Sequence, residues 1–84
     1  MTYRFVFSEE ALSQLRRLDN NTVGRLLSKL ESSANNPARF FERLAGREEY
    51  KMRVGDYRII ARVLHSEKRV FIMSLGHRKS IYKK

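Results

Sequence analysis

Seven side chains in the second half of the chain have the types and spacing for work on phosphates: Lys51, Arg53, Arg58, Arg62, His77, Arg78 and Tyr82. Lys51 and Arg53 alternate with Tyr50, Met52 and Val54, while Arg58 and Arg62 alternate with Tyr57, Ile59, Ala61 and Val63. In a strand, alternate residues project to one face, so the four cations share a surface if the two runs pair across Gly55-Asp56. Cations gathered in this way grip phosphate oxygens through charge-assisted hydrogen bonds. His77 and Tyr82, which follow Gly76, add rings on which a base can stack. Plainer readings exist for most of the set. Lys51, Arg53 and Arg62 suit a solvated strand face, His77 suits a loop, and Tyr82 suits a docking aromatic near a chain end. Arg58 is harder to dismiss, because apolar residues flank it.

Other chemistries find few residues here. The 84 residues include no cysteine, which removes disulfides, thiolate metal ligands and thiol nucleophiles. The two histidines stand far apart in sequence, so no metal site is expected. No close carboxylate pair falls on the basic side, and no glycine-rich phosphate loop occurs. No cofactor is expected either. Any catalysis must run on cations.

The elements that would position these groups follow from periodicity. Tyr3, Phe5 and Phe7 alternate with polar or smaller neighbours and predict a short strand. Ser8 is an N-cap followed by Glu9 and Glu10, and Leu12, Leu15 and Leu18 mark a helical stripe. Asp19-Asn20-Asn21-Thr22 caps a second helix with apolar positions at Val23, Leu26, Leu27, Leu30 and Ala34, ended by Asn35-Asn36-Pro37. A connector with Phe40, Phe41, Leu44 and Gly46 leads into the Tyr50 strand and the Gly55-Asp56 turn. The run from Tyr57 to Leu64 turns at His65-Ser66-Glu67-Lys68. The run from Val70 to Leu75 is apolar on both faces, as an interior strand should be, and Gly76 ends it. The expectation is one α+β domain over residues 1–84, in the order β-α-α-β-β-β. It has an N-terminal strand, an antiparallel helical hairpin, a three-stranded antiparallel meander and a short basic C-terminal tail.

Charge points to the partner. Eighteen Lys and Arg face nine Asp and Glu, for a net charge of +9. Residues 1–42 hold six basic and five acidic side chains, whereas residues 43–84 hold twelve and four. So lopsided an excess suits a polyanion, nucleic acid foremost. No apolar run is long enough to span a bilayer, and the N-terminus lacks a signal-peptide pattern, so a cytoplasmic protein without a membrane partner is expected.

Two segments carry a family resemblance: the run from Glu49 to Ile60, with its Gly55-Asp56-Tyr57-Arg58 core, and the ending from Ser74 to Tyr82, with Gly76-His77-Arg78 and Tyr82. With the element order, they make the whole chain resemble the RelE/ParE superfamily of type II toxins, and within it the RelE-like mRNA interferases. The resemblance implies a metal-independent endoribonuclease that cleaves mRNA in the ribosomal A site. A ribose 2′-hydroxyl would attack the adjacent phosphate, leaving a 2′,3′-cyclic phosphate and a 5′-hydroxyl. It implies catalytic positions at Lys51, Arg53, Arg58, Arg78 and Tyr82. Arg58 and Arg78 would stabilise phosphorane charge, Tyr82 would orient the nucleotide, and Lys51 would act as base, since neighbouring cations favour a neutral amine. One position departs: the RelE pattern has lysine where this chain has Arg53, and arginine does not give up its proton. His77 is the candidate substitute for that proton transfer. Arg43, Arg47, Arg62, Lys68, Lys79, Lys83 and Lys84 would steer the protein to ribosomal RNA. The implied partners are the ribosome, mRNA and an acidic, RelB-like antitoxin. The same fold also suits a ParE-type gyrase inhibitor, or a nontoxic binder of RNA or antitoxin.

Overall fold

The computed structural model describes residues 2–44 and 49–77. Its elements are β1 (Arg4–Phe7), α1 (Glu9–Arg16), α2 (Asn20–Ser33), α3 (Pro37–Phe40), β2 (Glu42–Arg43), β3 (Tyr50–Val54), β4 (Tyr57–Leu64) and β5 (Arg69–His77), with a 3₁₀ turn at His65–Glu67. The five strands form one sheet in the order β1-β5-β4-β3-β2. The antiparallel meander is therefore present as β3-β4-β5. The architecture is α+β, as the sequence predicts.

One feature adds to the sequence reading and three depart from it. First, β1 pairs parallel with β5, so the sheet is mixed and β5 lies between β1 and β4. Second, the stretch read as a connector holds α3 and β2; Pro37 opens α3, where its missing N–H costs nothing. Third, the inward helical stripes are shifted. Ala11 in α1 and Thr22, Leu26, Leu30 and Ser33 in α2 are buried, while Leu12 and Leu27 face solvent at 39% and 42% exposure. Fourth, Gly76 does not end its strand: β5 runs through it to His77.

The core lies between the helices and one sheet face, where Leu26, Leu30, Met52, Ile59, Ala61, Val70, Ile72 and Leu75 are buried. Met52 pairs with Ile59 and Tyr50 with Ala61, so these inward residues form cross-strand pairs. The β3–β4 turn needs Gly55, whose φ is +61° and whose would-be Cβ would meet the Arg25 guanidinium from α2.

A β-bulge breaks the alternation of β5. Ile60 pairs with Ser74, but Ala61 pairs with Ile72, leaving Met73 as the extra residue. The phase of β5 changes there, which is why Ile72 and Leu75 are both buried although three residues apart. Beyond Phe7, β1 no longer covers the edge of β5, and α1 takes over. The Ser8 hydroxyl accepts from the Ala11 N–H at 3.0 Å as the N-cap of α1 and donates to the Met73 carbonyl at 2.7 Å. The Gln14 side-chain oxygen accepts from the Leu75 N–H at 2.7 Å. The first two turns of α1 with their N-cap thus satisfy the backbone that the parallel pairing leaves open.

Two predictions follow from these bonds. Replacing Gln14 by Leu strands the Leu75 N–H in a buried place and should cost about 1–3 kcal/mol in urea unfolding. Asp19 caps α2, accepting from the Thr22 hydroxyl at 2.6 Å and the Thr22 N–H at 3.3 Å. The side-chain bond first, then the backbone bond, holds its carboxyl below the ordinary 3.8. A lowered folded-state value stabilises the fold above the ordinary value, and that contribution fades as pH falls through the folded one. Asp19→Ala should therefore lower the melting temperature at neutral pH, with the gap to wild type closing as pH drops below about 4.

Candidate functional site

The sheet face turned away from the core collects the cations. Lys51 pairs with Ile60 and Arg53 with Arg58, so Lys51, Arg53, Arg58 and Arg62 share that face, as their alternation predicts. Arg53 and Arg58 are directly opposed, an arrangement that like charges make unfavourable. Arg58 is also buried, at 8% exposure, whereas Arg53 is exposed. Its Nη1 donates to the Tyr57 carbonyl at 3.3 Å. Among the described residues no carboxylate pairs with it, the one ion pair there being Arg69 with Glu67 at the far end of the sheet. A buried guanidinium without a carboxylate is costly for a fold to keep. It is well suited to receive an anion.

Space is left beside it. Arg58 pairs with Gly76, and a Cβ built at Gly76 would touch nothing within 4 Å among the described residues. The missing side chain keeps the face open next to the guanidinium.

The other sequence candidates are distributed more widely. His77 pairs with Tyr57, and their rings meet edge-on at 5.6 Å between centroids. Tyr57 faces the helix side, so the pairing turns His77 away from the Arg58 face. The bulge at Met73 is the cause: unbroken alternation from Val70 and Ile72 would have put His77 on the face of Phe71 and Arg62. Arg62 pairs with Phe71, four residues from Arg58 and hence about 13 Å along the strand. Arg43 pairs with Tyr50 and lies on the opposite sheet face from Lys51. Lys68 stands beyond the far end of β4, its amine 5.2 Å over the Tyr3 ring. Arg47, Arg78, Lys79, Tyr82, Lys83 and Lys84 lie outside the described residues.

Four residues that the sequence reading passed over, Lys29, Arg39, Phe40 and Glu42, join the site. Strand β2 pairs only with Tyr50 and Lys51, so among the described residues no strand pairs with the edge of β3 from Met52 onward. A cleft of about 640 Å³ opens there, lined by Lys29, Arg39, Phe40, Glu42, Lys51 and Arg53. Lys29 comes from α2 and Arg39 with Phe40 from α3. The start signal of α3, Asn36-Pro37, was visible in the sequence as a stop and not as a beginning.

Among the described residues no group of three or more His, Asp or Glu could hold a metal ion, and no helix is long and apolar enough to cross a membrane. The arrangement is a cationic surface with one buried guanidinium at its centre.

The sequence profile of the ParE toxin of type II toxin–antitoxin systems, parDE, matches residues 5–82. The chain belongs to this toxin family. Solved structures place it in the wider RelE/ParE superfamily. The E. coli RelBE toxin–antitoxin complex is similar at 28% identity over 89% of this chain and 95% of that one, with a TM-score of 0.77. The archaeal RelE–RelB complex of Pyrococcus horikoshii shares 28% over 95% of this chain and 99% of that one, with a TM-score of 0.80. An E. coli RelE variant with two arginines replaced by alanine, bound to a RelB antitoxin peptide, shares 30% over 92% and 84%, at 0.74. No curated protein sequence gives a significant match. This chain is a type II toxin of the RelE/ParE superfamily.

In such a toxin, Arg58 should serve function at the expense of stability. Arg58→Met is expected to leave the melting temperature unchanged or raise it, since an apolar side chain of similar length removes a buried charge that no carboxylate meets among the described residues. A lowered melting temperature on that substitution would show that the guanidinium is a structural element.

Proposed function

We propose that this toxin is a ribosome-dependent endoribonuclease that cleaves mRNA in the A site. The observation that carries the reading is Arg58: buried, opposed by Arg53, and without a carboxylate among the described residues. Two guanidiniums set against each other become favourable once a phosphate lies between them. Charge that grows on the phosphoryl oxygens during attack is held best by donors already in place. The open position at Gly76 gives the phosphate access to them.

In the reaction, a base takes the proton of the ribose 2′-hydroxyl, and that oxygen forms a bond to the adjacent phosphorus. The bond from phosphorus to the 5′-oxygen breaks, and the leaving oxygen takes up a proton. The products are a 2′,3′-cyclic phosphate and a 5′-hydroxyl. Lys51 is the base in this reading, because it shares the Arg58 face and His77 is turned from it. Arg53 contributes charge alone. The family resemblance adds Arg78 as a second phosphate ligand and Tyr82 as the residue that orients the nucleotide. Of the remaining cations, Arg62 sits on the same face and suits ribosomal RNA steering. Lys68, at the far end, suits only peripheral contact.

The partner that masks such a toxin is a RelB-like antitoxin, as in the E. coli and P. horikoshii complexes. An apolar groove of about 340 Å³ between β1 and α2, lined by Tyr3, Phe5, Phe7, Leu27, Leu30 and Ala34 with Glu31, supports an apolar antitoxin segment there. Strand β1 is also a sheet edge, open to an added strand.

Gyrase inhibition is the second reading, favoured by the ParE name of the matching profile. The two are separated in a translation extract programmed with one defined message. New 5′ ends at A-site codons, formed only with ribosomes and reduced about 10²–10³-fold by Arg58→Met, are the expected outcome. An intact message together with blocked DNA supercoiling would overturn the nuclease reading in favour of gyrase.

A further inference from the structure

The cleft at the free edge of β3 is continuous with the Arg58 face through Lys51 and Arg53 but extends beyond it. Four of its six lining residues are cations, from α2, α3 and β3, and one is an aromatic. The Lys29 amine lies over the Phe40 ring, 5.7 Å from its centroid, while the ring also packs against the core. A base can take that π face only when Lys29 swings off the ring, which is the movement that carries its amine to a phosphate. A charged groove beside an aromatic face is the combination by which single-stranded nucleic acids are held, the backbone by the cations and a base on the ring. Among the described residues Glu42 is the cleft's one carboxylate, and it stands opposite Lys51 in the β2–β3 register without an ion pair to it. With Lys51 and Arg53 assigned to the scissile phosphate, Lys29 and Arg39 are the groups left for a neighbouring backbone phosphate. The volume, about 640 Å³, admits a nucleotide.

We propose that this cleft is a nucleotide subsite flanking the scissile phosphate, with Phe40 as the stacking platform for one base and Lys29 and Arg39 as ligands of its phosphate. The inference rests on the nuclease reading and extends it to a place where sequence context would be sensed. An acidic protein segment is the competing occupant. The aromatic face favours RNA, since carboxylates gain nothing from a π face.

The test is binding of a 5′-labelled, non-cleavable 2′-O-methyl RNA trinucleotide to the full chain, followed by fluorescence anisotropy without ribosomes. Phe40→Leu keeps apolar bulk and removes the ring; it should weaken binding about 5- to 100-fold, and Phe40→Tyr should restore it. Melting curves of both variants confirm that the fold is retained. Lys29→Gln combined with Arg39→Gln should reduce the slope of log affinity against log salt by about 1.4, two contacts on a single strand. Arg69→Gln, at the far end of the sheet, should leave the slope unchanged. The subsite is overturned if Phe40→Leu binds as wild type, or if the double variant behaves like Arg69→Gln. It is equally overturned if an oligoglutamate peptide binds in place of the RNA with the same dependence on Lys29 and Arg39. Ribosome-dependent cleavage is measured separately. Binding that needs Phe40 without any cleavage overturns the nuclease reading, whereas cleavage with binding indifferent to Phe40 overturns the subsite alone.

Discussion

The opposition of Arg53 and Arg58 across two antiparallel strands is the constraint around which the molecule is arranged. Neither burial nor pairing favours it: Arg58 is nearly enclosed, and its cross-strand neighbour carries the same charge. A sheet built only for stability would place an acid or an apolar residue at one of the two positions. The rest of the fold supplies the stability that this face gives up. Met52 and Ile59, the neighbouring cross-strand pair on the opposite sheet face, are fully buried in one cluster with Leu26 and Leu30 of α2. The strands therefore hold a repulsive surface rigidly because their opposite surface is a packed core.

A second constraint sets what stands beside the guanidinium. The bulge at Met73 reverses the phase of β5, bringing Gly76 rather than a side chain opposite Arg58 and sending His77 to the helix side. That bulge is held from outside the meander, by the Ser8 hydroxyl on the Met73 carbonyl and by Gln14 on the Leu75 N–H. The first turns of α1 therefore fix the geometry of a face they do not touch. Parallel pairing of β1 with β5 is what brings α1 there, since Ser8 follows directly on the last residue of β1.

Much of this was legible in the residues, for a local reason. Alternation in the runs from Tyr50 to Val54 and from Tyr57 to Leu64, joined by a two-residue turn at Gly55, fixes which side chains share a face without any long-range information. Lys51, Arg53, Arg58 and Arg62 could be grouped on that basis. What escaped depends on contacts distant in sequence. The pairing of β1 with β5 joins residues more than sixty positions apart, and the Met73 bulge is specified by a helix near the other end of the chain. His77 is the residue this misleads most. The inward stripe of α2 was read in part: Leu26 and Leu30 face the core as predicted, but Thr22 and Ser33 are buried while Leu27 is not, the reverse of what their polarity suggests. Lys29, Arg39 and Phe40 reach the cleft through a short helix that the sequence marks only by its proline.

The central claim is that Arg58 is held buried, with no carboxylate partner among the described residues, in order to receive a phosphate. The most direct measurement is the guanidinium Nε–Hε resonance of Arg58, followed by NMR while the intact toxin is titrated with a 2′,3′-cyclic mononucleotide. The account predicts a saturable shift of Arg58, accompanied by Arg53, at concentrations where exposed Arg69 does not respond. A resonance for Arg58 that stays fixed, or shifts only in parallel with Arg69, would contradict it.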